Sequence, residues 1–164
     1  MKFEDGPEVE VRLEIAASPA TVWKYVSDIN LPSRFQDEFR GAVWLDSEPI
    51  GVGSRFMGRN QRGEHTWETT SWLVAYEPER LFSWAVSNPD NPGAIWTFRL
   101  EPVPAGTQLF FHRRLGPGPS GITRIIGRNP EKEHEIIAAR DATHRVNMNA
   151  VLKGIKDLAE KTLG

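Results

Sequence analysis

The sequence has no cysteine among its 164 residues. Disulfide bonds, thiolate nucleophiles and cysteine metal sites are therefore excluded, and this composition fits a reducing compartment. Long apolar runs are also missing, since no segment approaches the roughly 20 apolar residues that a membrane-spanning helix needs. The charged segment from Met1 to Glu8 lacks the apolar core of a secretory signal. We expect a cytoplasmic protein with no integral membrane association.

A strong charge imbalance is absent too, because 20 lysines and arginines stand against 22 aspartates and glutamates. A chain with this balance has no electrostatic basis for nucleic acid, or an anionic membrane, as its main partner. Glu131, His134 and Glu135 are close enough on a helix to reach one metal ion, but the His-Glu-x-x-His pattern does not occur and these residues also suit a solvated helix face. We predict neither a metal site nor a cofactor.

Apolar residues make up 39% of the chain and include six tryptophans and eight phenylalanines. At this chain length they suffice for one hydrophobic core, so residues 1–164 are predicted to form a single domain. Whether that domain acts as a monomer or as a homodimer stays open.

The segment from Pro130 to Leu163 is predicted to be one long helix. Apolar or small residues recur in it at spacings of three and four, which places them on one helical stripe. They are Ile137, Met148, Val151, Leu152, Ile155, Leu158, Ala159 and Leu163. Asn129 could cap the start of this helix, ahead of a proline at the first helical position.

Ahead of that helix the sequence predicts a sheet. Residues Glu8 to Ile15 alternate strictly between apolar and charged side chains, which indicates a strand with one buried face. Ser18 and Pro19 then begin a short helix, and a second helical turn is expected near Ser33 to Asp37. Six further strands are predicted at Arg40 to Leu45, Ser54 to Asn60, His65 to Tyr76, Arg80 to Val86, Ala94 to Pro102 and Gln108 to Leu115. Their short connections favour an antiparallel meander, and Ile122 to Gly127 could be a helical turn or a lid.

Several short patterns occur in an order that resembles the START-like superfamily, and within it the polyketide cyclase/dehydrase and lipid-transport group. The patterns are Ala17 to Trp23, Gly53 to Phe56, Trp67 to Thr70, Tyr76 to Pro78 with Trp84, and Trp96 to Pro102 before Gly106 and Thr107. The resemblance covers nearly the whole chain, from Val9 to Glu160. It implies an α+β helix-grip fold, in which a curved seven-stranded antiparallel sheet wraps a long C-terminal helix and a cavity for an apolar ligand lies between them. It implies no catalytic mechanism.

The candidate ligand wall follows from alternation along the predicted strands. The residues expected to bind a ligand are Phe56, Asn60, Trp67, Thr69, Ser71, Trp84, Trp96, Phe98, His144 and Met148. Pockets for apolar ligands combine large apolar side chains with a few polar groups, and here Thr69 and Ser71 are interleaved with the tryptophans. The same tryptophans could instead fill an ordinary core, and a single bulge would reverse the face assigned to any strand.

The helix stripe supplies the candidate catalytic residues. From Met148 onward the stripe is aliphatic, but in the other direction it reaches His144 and then Asp141 or Arg140. Asp141 is three residues before His144, so its carboxylate could fix the imidazole tautomer of a general base. Arg140 could bind a ligand carboxylate or phenolate through two hydrogen bonds, although all three could equally be surface groups. We predict that His144 lines the wider, solvent-connected end of the cavity, beside the polar head of a ligand.

Three functions are compatible with the sequence. The first is binding or carrying a small hydrophobic or aromatic ligand. The second is a cofactor-free polyketide cyclase or dehydratase that uses the helix acid/base residues, and the third is a protein-interaction module. Polar helix groups that point into a closed pocket favour catalysis, whereas a pocket filled by Trp67, Trp84 and Trp96 favours the interaction module.

Overall fold

The fold is a curved seven-stranded antiparallel sheet wrapped around one long helix. In the computed structural model, which describes residues 1–162, the strands are β1 (Glu8–Ile15), β2 (Phe39–Trp44), β3 (Arg55–Arg62), β4 (His65–Glu77), β5 (Leu81–Val86), β6 (Ala94–Val103) and β7 (Gly106–Leu115). The helices are α1 (Pro19–Val26), α2 (Gly121–Arg128) and α3 (Glu133–Thr162), and 3-10 turns occupy Phe3–Asp5, Leu31–Arg34 and Pro130–Lys132. The strands lie in the order β1-β7-β6-β5-β4-β3-β2. This is the predicted helix-grip architecture.

The short helices follow their local sequence signals. Ser18 caps α1, because its Oγ accepts a hydrogen bond from the backbone N–H of Thr21 at 3.3 Å, and Pro19 occupies the first helical position. The second helical turn is the 3-10 turn Leu31–Arg34, slightly earlier than predicted. The segment Ile122 to Gly127, which was predicted to be either a helical turn or a lid, is part of helix α2.

The start of α3 differs from the prediction. The α-helix begins at Glu133 rather than at Pro130, and Asn129 does not cap it through its side chain. Asn129 instead ends α2, because its side-chain amide donates to the carbonyl oxygen of Ile125 at 3.2 Å. The predicted last residue, Leu163, lies outside the described residues. Within residues 1–162, no helix is long and apolar enough to cross a bilayer.

One face of the sheet carries the apolar side chains predicted from alternation, and this face is turned to α3. Residues that pair directly across antiparallel strands point to the same side. One such row consists of Leu73, Trp84, Trp96, Arg113 and Val9. A second row consists of Phe82, Phe98, Phe111 and Val11. Val151, Leu152 and Ile155 of α3 belong to the same buried core.

Candidate functional site

The sheet face turned to α3 is closed in one region and accessible in another. Phe82 and Phe98 are buried in the core that contains the aliphatic part of α3. Trp84 and Trp96 keep part of their surface accessible, although they lie on central strands. Because both side chains lie on the sheet face turned to α3, we infer that solvent reaches them through a space between the sheet and the helix. We call this inferred space the cleft, and we assign to it the partly accessible residues Asn60, Thr69, Trp84 and Trp96 of that sheet face, together with His144 of α3, which contacts Trp96.

Aromatic rings form the sheet side of the cleft. The indoles of Trp84 and Trp96 stack with a centroid separation of 6.3 Å and an angle of 11° between their planes. Phe98 and Phe111 stack beside them at 3.9 Å. His144 meets Trp96 edge-on, with centroids 5.0 Å apart and planes inclined by 66°. Such a surface suits a flat apolar ligand, because aromatic rings bury large areas and attract other rings in offset or edge-on arrangements.

Arg113 of β7 lies beside Trp96 on the same sheet face and is a fully buried cation, with 0% of its surface exposed. Its Nη2 donates to Oδ1 of Asp141 at 2.7 Å and to the carbonyl oxygen of Pro7 at 3.1 Å, and its Nη1 lies 2.8 Å from Nδ1 of His144. Burial lowers the pKa of the guanidinium, and the Asp141 carboxylate opposes this shift. A buried charge is costly unless it is paired and hydrogen-bonded, so these three partners are what allow Arg113 to lie there.

His144 is a neutral hydrogen-bond donor in this arrangement. The imidazole is only 6% exposed, and an arginine N–H can donate but never accept. Nδ1 is therefore the unprotonated acceptor, and the ring proton is on Nε2. Burial holds the pKa of His144 well below its usual range, and the positive charges of Arg140, Arg113 and Arg62 lower it further. A ring in this tautomer can donate from Nε2 to a ligand, but it is not a general base.

Two of the predicted roles on α3 are corrected by the contacts. Asp141 does not orient His144, because its carboxylate accepts from Arg113, the buried cation that needs a counter-charge more than a neutral imidazole does. Arg140 is not free for a ligand carboxylate, because it donates two hydrogen bonds, of 2.8 and 2.7 Å, to the carboxylate of Glu38. Both side chains are therefore committed to ion pairs within the protein.

The ten predicted ligand-wall residues divide into two groups by burial. The buried ones are Phe56, Ser71, Phe98, His144 and Met148, and the partly accessible ones are Asn60, Trp67, Thr69, Trp84 and Trp96. The main residue that sequence reasoning left without a role is Arg113. Its signal was present, because Arg113 alternates with Leu109 and Phe111 and therefore shares their inward face on β7.

Two open surface depressions lie away from the cleft. One is lined by residues 16–19 and 102–106, and the other by Asp157, Glu160 and Lys161. Neither contains an aromatic side chain, so neither offers a stacking surface for a flat ligand.

The part of the chain that forms the sheet, including Trp84 and Trp96, matches a known sequence family. Residues 7–129 match the family described as Polyketide cyclase / dehydrase and lipid transport. The chain belongs to this family. As a member of it, the protein is also a START-like domain, and its fold is that of hydrophobic ligand-binding and cyclase-like proteins. A comparison with curated proteins finds no match.

Solved structures share the whole architecture, including α3. The Polyketide_cyc-like protein Cgl2372 from Corynebacterium glutamicum is 29% identical, with a TM-score of 0.69 over 95% of this chain and 93% of that chain. The Zhui aromatase/cyclase from Streptomyces sp. R1128 is 16% identical, with a TM-score of 0.70 over 96% of each chain. The di-domain ARO/CYC StfQ from the steffimycin biosynthetic pathway is 18% identical, with a TM-score of 0.71 over 96% of this chain and 51% of that chain. At their identities, the last two show a common fold alone.

Proposed function

We propose that this protein binds a small hydrophobic, aromatic ligand in the cleft between the sheet and α3. The observation that carries the proposal is the accessible surface of Trp84 and Trp96, two stacked indoles on the helix-facing side of central strands. Exposed indole surface in a concave site is stabilised by an apolar ligand, because the ligand removes that surface from water. His144 supplies the polar contact, through an Nε2–H group beside Trp96.

Membership of the polyketide cyclase/dehydrase and lipid-transport family supports this class of ligand. The structural neighbours include the Zhui aromatase/cyclase and the di-domain ARO/CYC StfQ, and the name aromatase refers to aromatic chemistry in the first of those proteins. A flat ligand that carries one or two fused rings fits the stacked indoles better than a flexible acyl chain does, since stacking needs a planar face. We therefore expect polyketide-like aromatic compounds to bind more tightly than fatty acids of equal carbon number.

Cofactor-free cyclisation or dehydration is the second candidate. The observation that favours it is the Nε2–H of His144, which could polarise a ketone oxygen in the cleft. Removal of a proton from carbon also needs a base, and the nearby carboxylates of Asp141 and Glu38 are engaged in ion pairs. The contacts therefore support ligand binding more strongly than catalysis.

The binding proposal is tested by tryptophan fluorescence and calorimetric titration with naphthalene and anthracene derivatives. Trp84→Leu should weaken binding about tenfold, since the loss of one aromatic contact costs about 1 to 1.5 kcal/mol. Trp72→Leu is the matched control, because Trp72 lies on the neighbouring strand β4 and pairs with Ala85 on the opposite face. Equal losses in both variants, or no binding of any aromatic compound by the unmodified protein, would reject the proposal.

A further inference from the structure

We propose that Arg113 determines ligand specificity by fixing the tautomer of His144, so that the polar group of the ligand must be a hydrogen-bond acceptor. A ketone, phenolate or carboxylate oxygen fits this requirement, whereas an ammonium group does not. Arg113 is a positioning residue here, because it acts on the ligand only through the imidazole. This inference rests on the proposed binding function and names the chemical class of the ligand.

The first step is the direction of the hydrogen bond between the two side chains. Nη1 of Arg113 lies 2.8 Å from Nδ1 of His144. If the ring proton were on Nδ1, two donors would face each other at this distance, and Nη1 would lose its partner in a buried site. The guanidinium cannot easily turn away, since Asp141 and the carbonyl of Pro7 hold its Nη2 at 2.7 and 3.1 Å.

The second step is the accessibility of the other ring nitrogen. Among the described residues, Nε2 of His144 has no hydrogen-bond partner in the protein, yet the only buried side-chain nitrogen or oxygen without a partner is Nε of Arg113. Nε2 of His144 therefore keeps some accessible surface. Because the two ring nitrogens of an imidazole point in divergent directions, this N–H is aimed away from Arg113, where a ligand can accept from it.

The third step is the charge around the imidazole. The charged groups that surround it are Arg113 with Asp141, Arg140 with Glu38, and Arg62. The two carboxylates are paired with arginines, and Trp96, which approaches from β6, is uncharged. Burial lowers the pKa of His144 most, and the remaining positive potential lowers it further and favours an electron-rich oxygen on the ligand. An ammonium ligand would meet both a donor and this positive potential.

The tautomer is measured on the ligand-free protein by two-bond proton–nitrogen NMR correlation of the histidine rings. We expect an unprotonated Nδ1 and a protonated Nε2 for His144, unchanged between about pH 5.5 and 8, which brackets the usual histidine pKa. Arg113→Met should give a mixture of both neutral tautomers, and Arg113→Lys, which retains a donor, should restore the Nε2–H form. A protonated Nδ1 in the unmodified protein would overturn the inference whatever the ligand data show.

The ligand preference is measured with three compounds of nearly equal shape, 2-acetylnaphthalene, 2-ethylnaphthalene and 2-naphthylmethylammonium. We expect the ketone to bind about tenfold more tightly than the hydrocarbon, which is about 1.4 kcal/mol, and the ammonium to bind most weakly. His144→Phe removes the Nε2–H donor and should reduce the ketone-to-hydrocarbon ratio to about one, whatever its effect on the affinity for the hydrocarbon itself. His112→Phe is the control and should retain the ratio, because His112 pairs with Glu8 on the opposite face of β7.

The outcomes separate this inference from the function on which it rests. Equal affinities for ketone and hydrocarbon, or a preference that survives His144→Phe, would reject the acceptor requirement while aromatic binding stands. Failure of all three compounds to bind would reject the proposed function, and the acceptor requirement with it. If Arg113→Met does not fold, the spectrum of the unmodified protein and the ratio in His144→Phe still decide the question.

Discussion

Arg113 and His144 share one hydrogen bond, 2.8 Å long, that joins β7, the last strand in the chain, to the middle of α3 inside the protein. One partner is a cation and the other a base, so protonation of His144 would place two positive charges side by side in a buried site. The pair is therefore compatible with only one charge state of the imidazole. This constraint makes the site sensitive to pH in a predictable direction.

The first prediction concerns stability below neutral pH. The pKa of His144 is well below its usual range in the folded protein, whereas in the unfolded chain it is about 6.5. Between these two pKa values the unfolded chain binds more protons, so the free energy of unfolding falls as the pH decreases below about 6.5. The slope from this group is about 1.4 kcal/mol per pH unit, and above pH 7 or so the group contributes none.

His144→Gln isolates this contribution, because glutamine can still accept a hydrogen bond from Arg113 but does not titrate. Urea denaturation at several pH values gives, for each protein, the slope of the free energy of unfolding against pH. The two slopes should coincide between about pH 7.5 and 8.5 and diverge below 6.5. Identical slopes throughout the acidic range would show that the imidazole is not held neutral.

The second prediction concerns the counter-charge of the buried arginine. Asp141→Asn removes the negative partner of Arg113 and leaves it with the neutral acceptors Pro7 and His144. We expect a loss of about 1 to 3 kcal/mol in the free energy of unfolding, the usual cost of leaving a buried donor poorly satisfied. Asp157→Asn, at an exposed position on the same helix, should stay within about 0.5 kcal/mol of the unmodified protein. Similar effects in both variants would contradict the ion-pair argument.

The third prediction concerns a glycine within α3. A Cβ added at Gly154 would lie about 2.5 Å from the ring of Phe35, which is closer than atoms pack. Gly154→Ala should therefore destabilise the protein by about 1 to 3 kcal/mol, although alanine favours a helix by about 1 kcal/mol over glycine. Thermal unfolding measures the change, and a stabilised Gly154→Ala would contradict the contact.

Gly127→Ala is the matched control for that measurement. Gly127 is also helical, in α2, but no atom lies within 4 Å of the position a Cβ would take. Helix propensity then acts alone and should stabilise α2 by up to about 1 kcal/mol. The opposite signs of the two substitutions distinguish the packing of Phe35 on α3 from the general preference for alanine in helices.

The fourth prediction concerns the aliphatic stripe of α3. Leu152 is 1% exposed, so Leu152→Ala should cost about 2 to 5 kcal/mol, the range for emptying a buried leucine site. Val146 lies on the same helix and is 69% exposed, so Val146→Ala should change the stability by no more than about 0.5 kcal/mol. Chemical denaturation of the two variants is the measurement, and a Leu152→Ala protein as stable as the original would contradict the role of α3 as the core of the fold.

Much of the fold could be predicted from local patterns. The strict alternation in Glu8–Ile15 predicted β1 with the bounds that the structure has, because a strand with one buried face repeats every two residues. The Ser18 cap could also be predicted from local sequence, because the two partners of its hydrogen bond are only three residues apart. The order of the short patterns predicted the family and therefore the helix-grip architecture.

The candidate site could be predicted only in part. Alternation placed Trp84 and Trp96 on one face, and the helix stripe placed His144 opposite them, because both are repeats of local backbone geometry. Spacing also placed Asp141 close enough to contact His144, but spacing along a helix does not decide which group the carboxylate pairs with. The carboxylate pairs instead with Arg113, 28 residues away in the chain.

The sequence by itself determined the elements, the buried faces and the family, because each depends on residues that are neighbours along the chain. Only the tertiary structure decided the charge pairs, since Arg140 meets Glu38 across 102 residues and His144 meets Arg113 across 31. A buried cation takes whichever acceptors the packed sheet and helix bring to it, and the stabilisation from that pairing outweighs a local contact with a neutral ring. The state of the imidazole in the cleft is therefore a consequence of how the sheet closes on the helix.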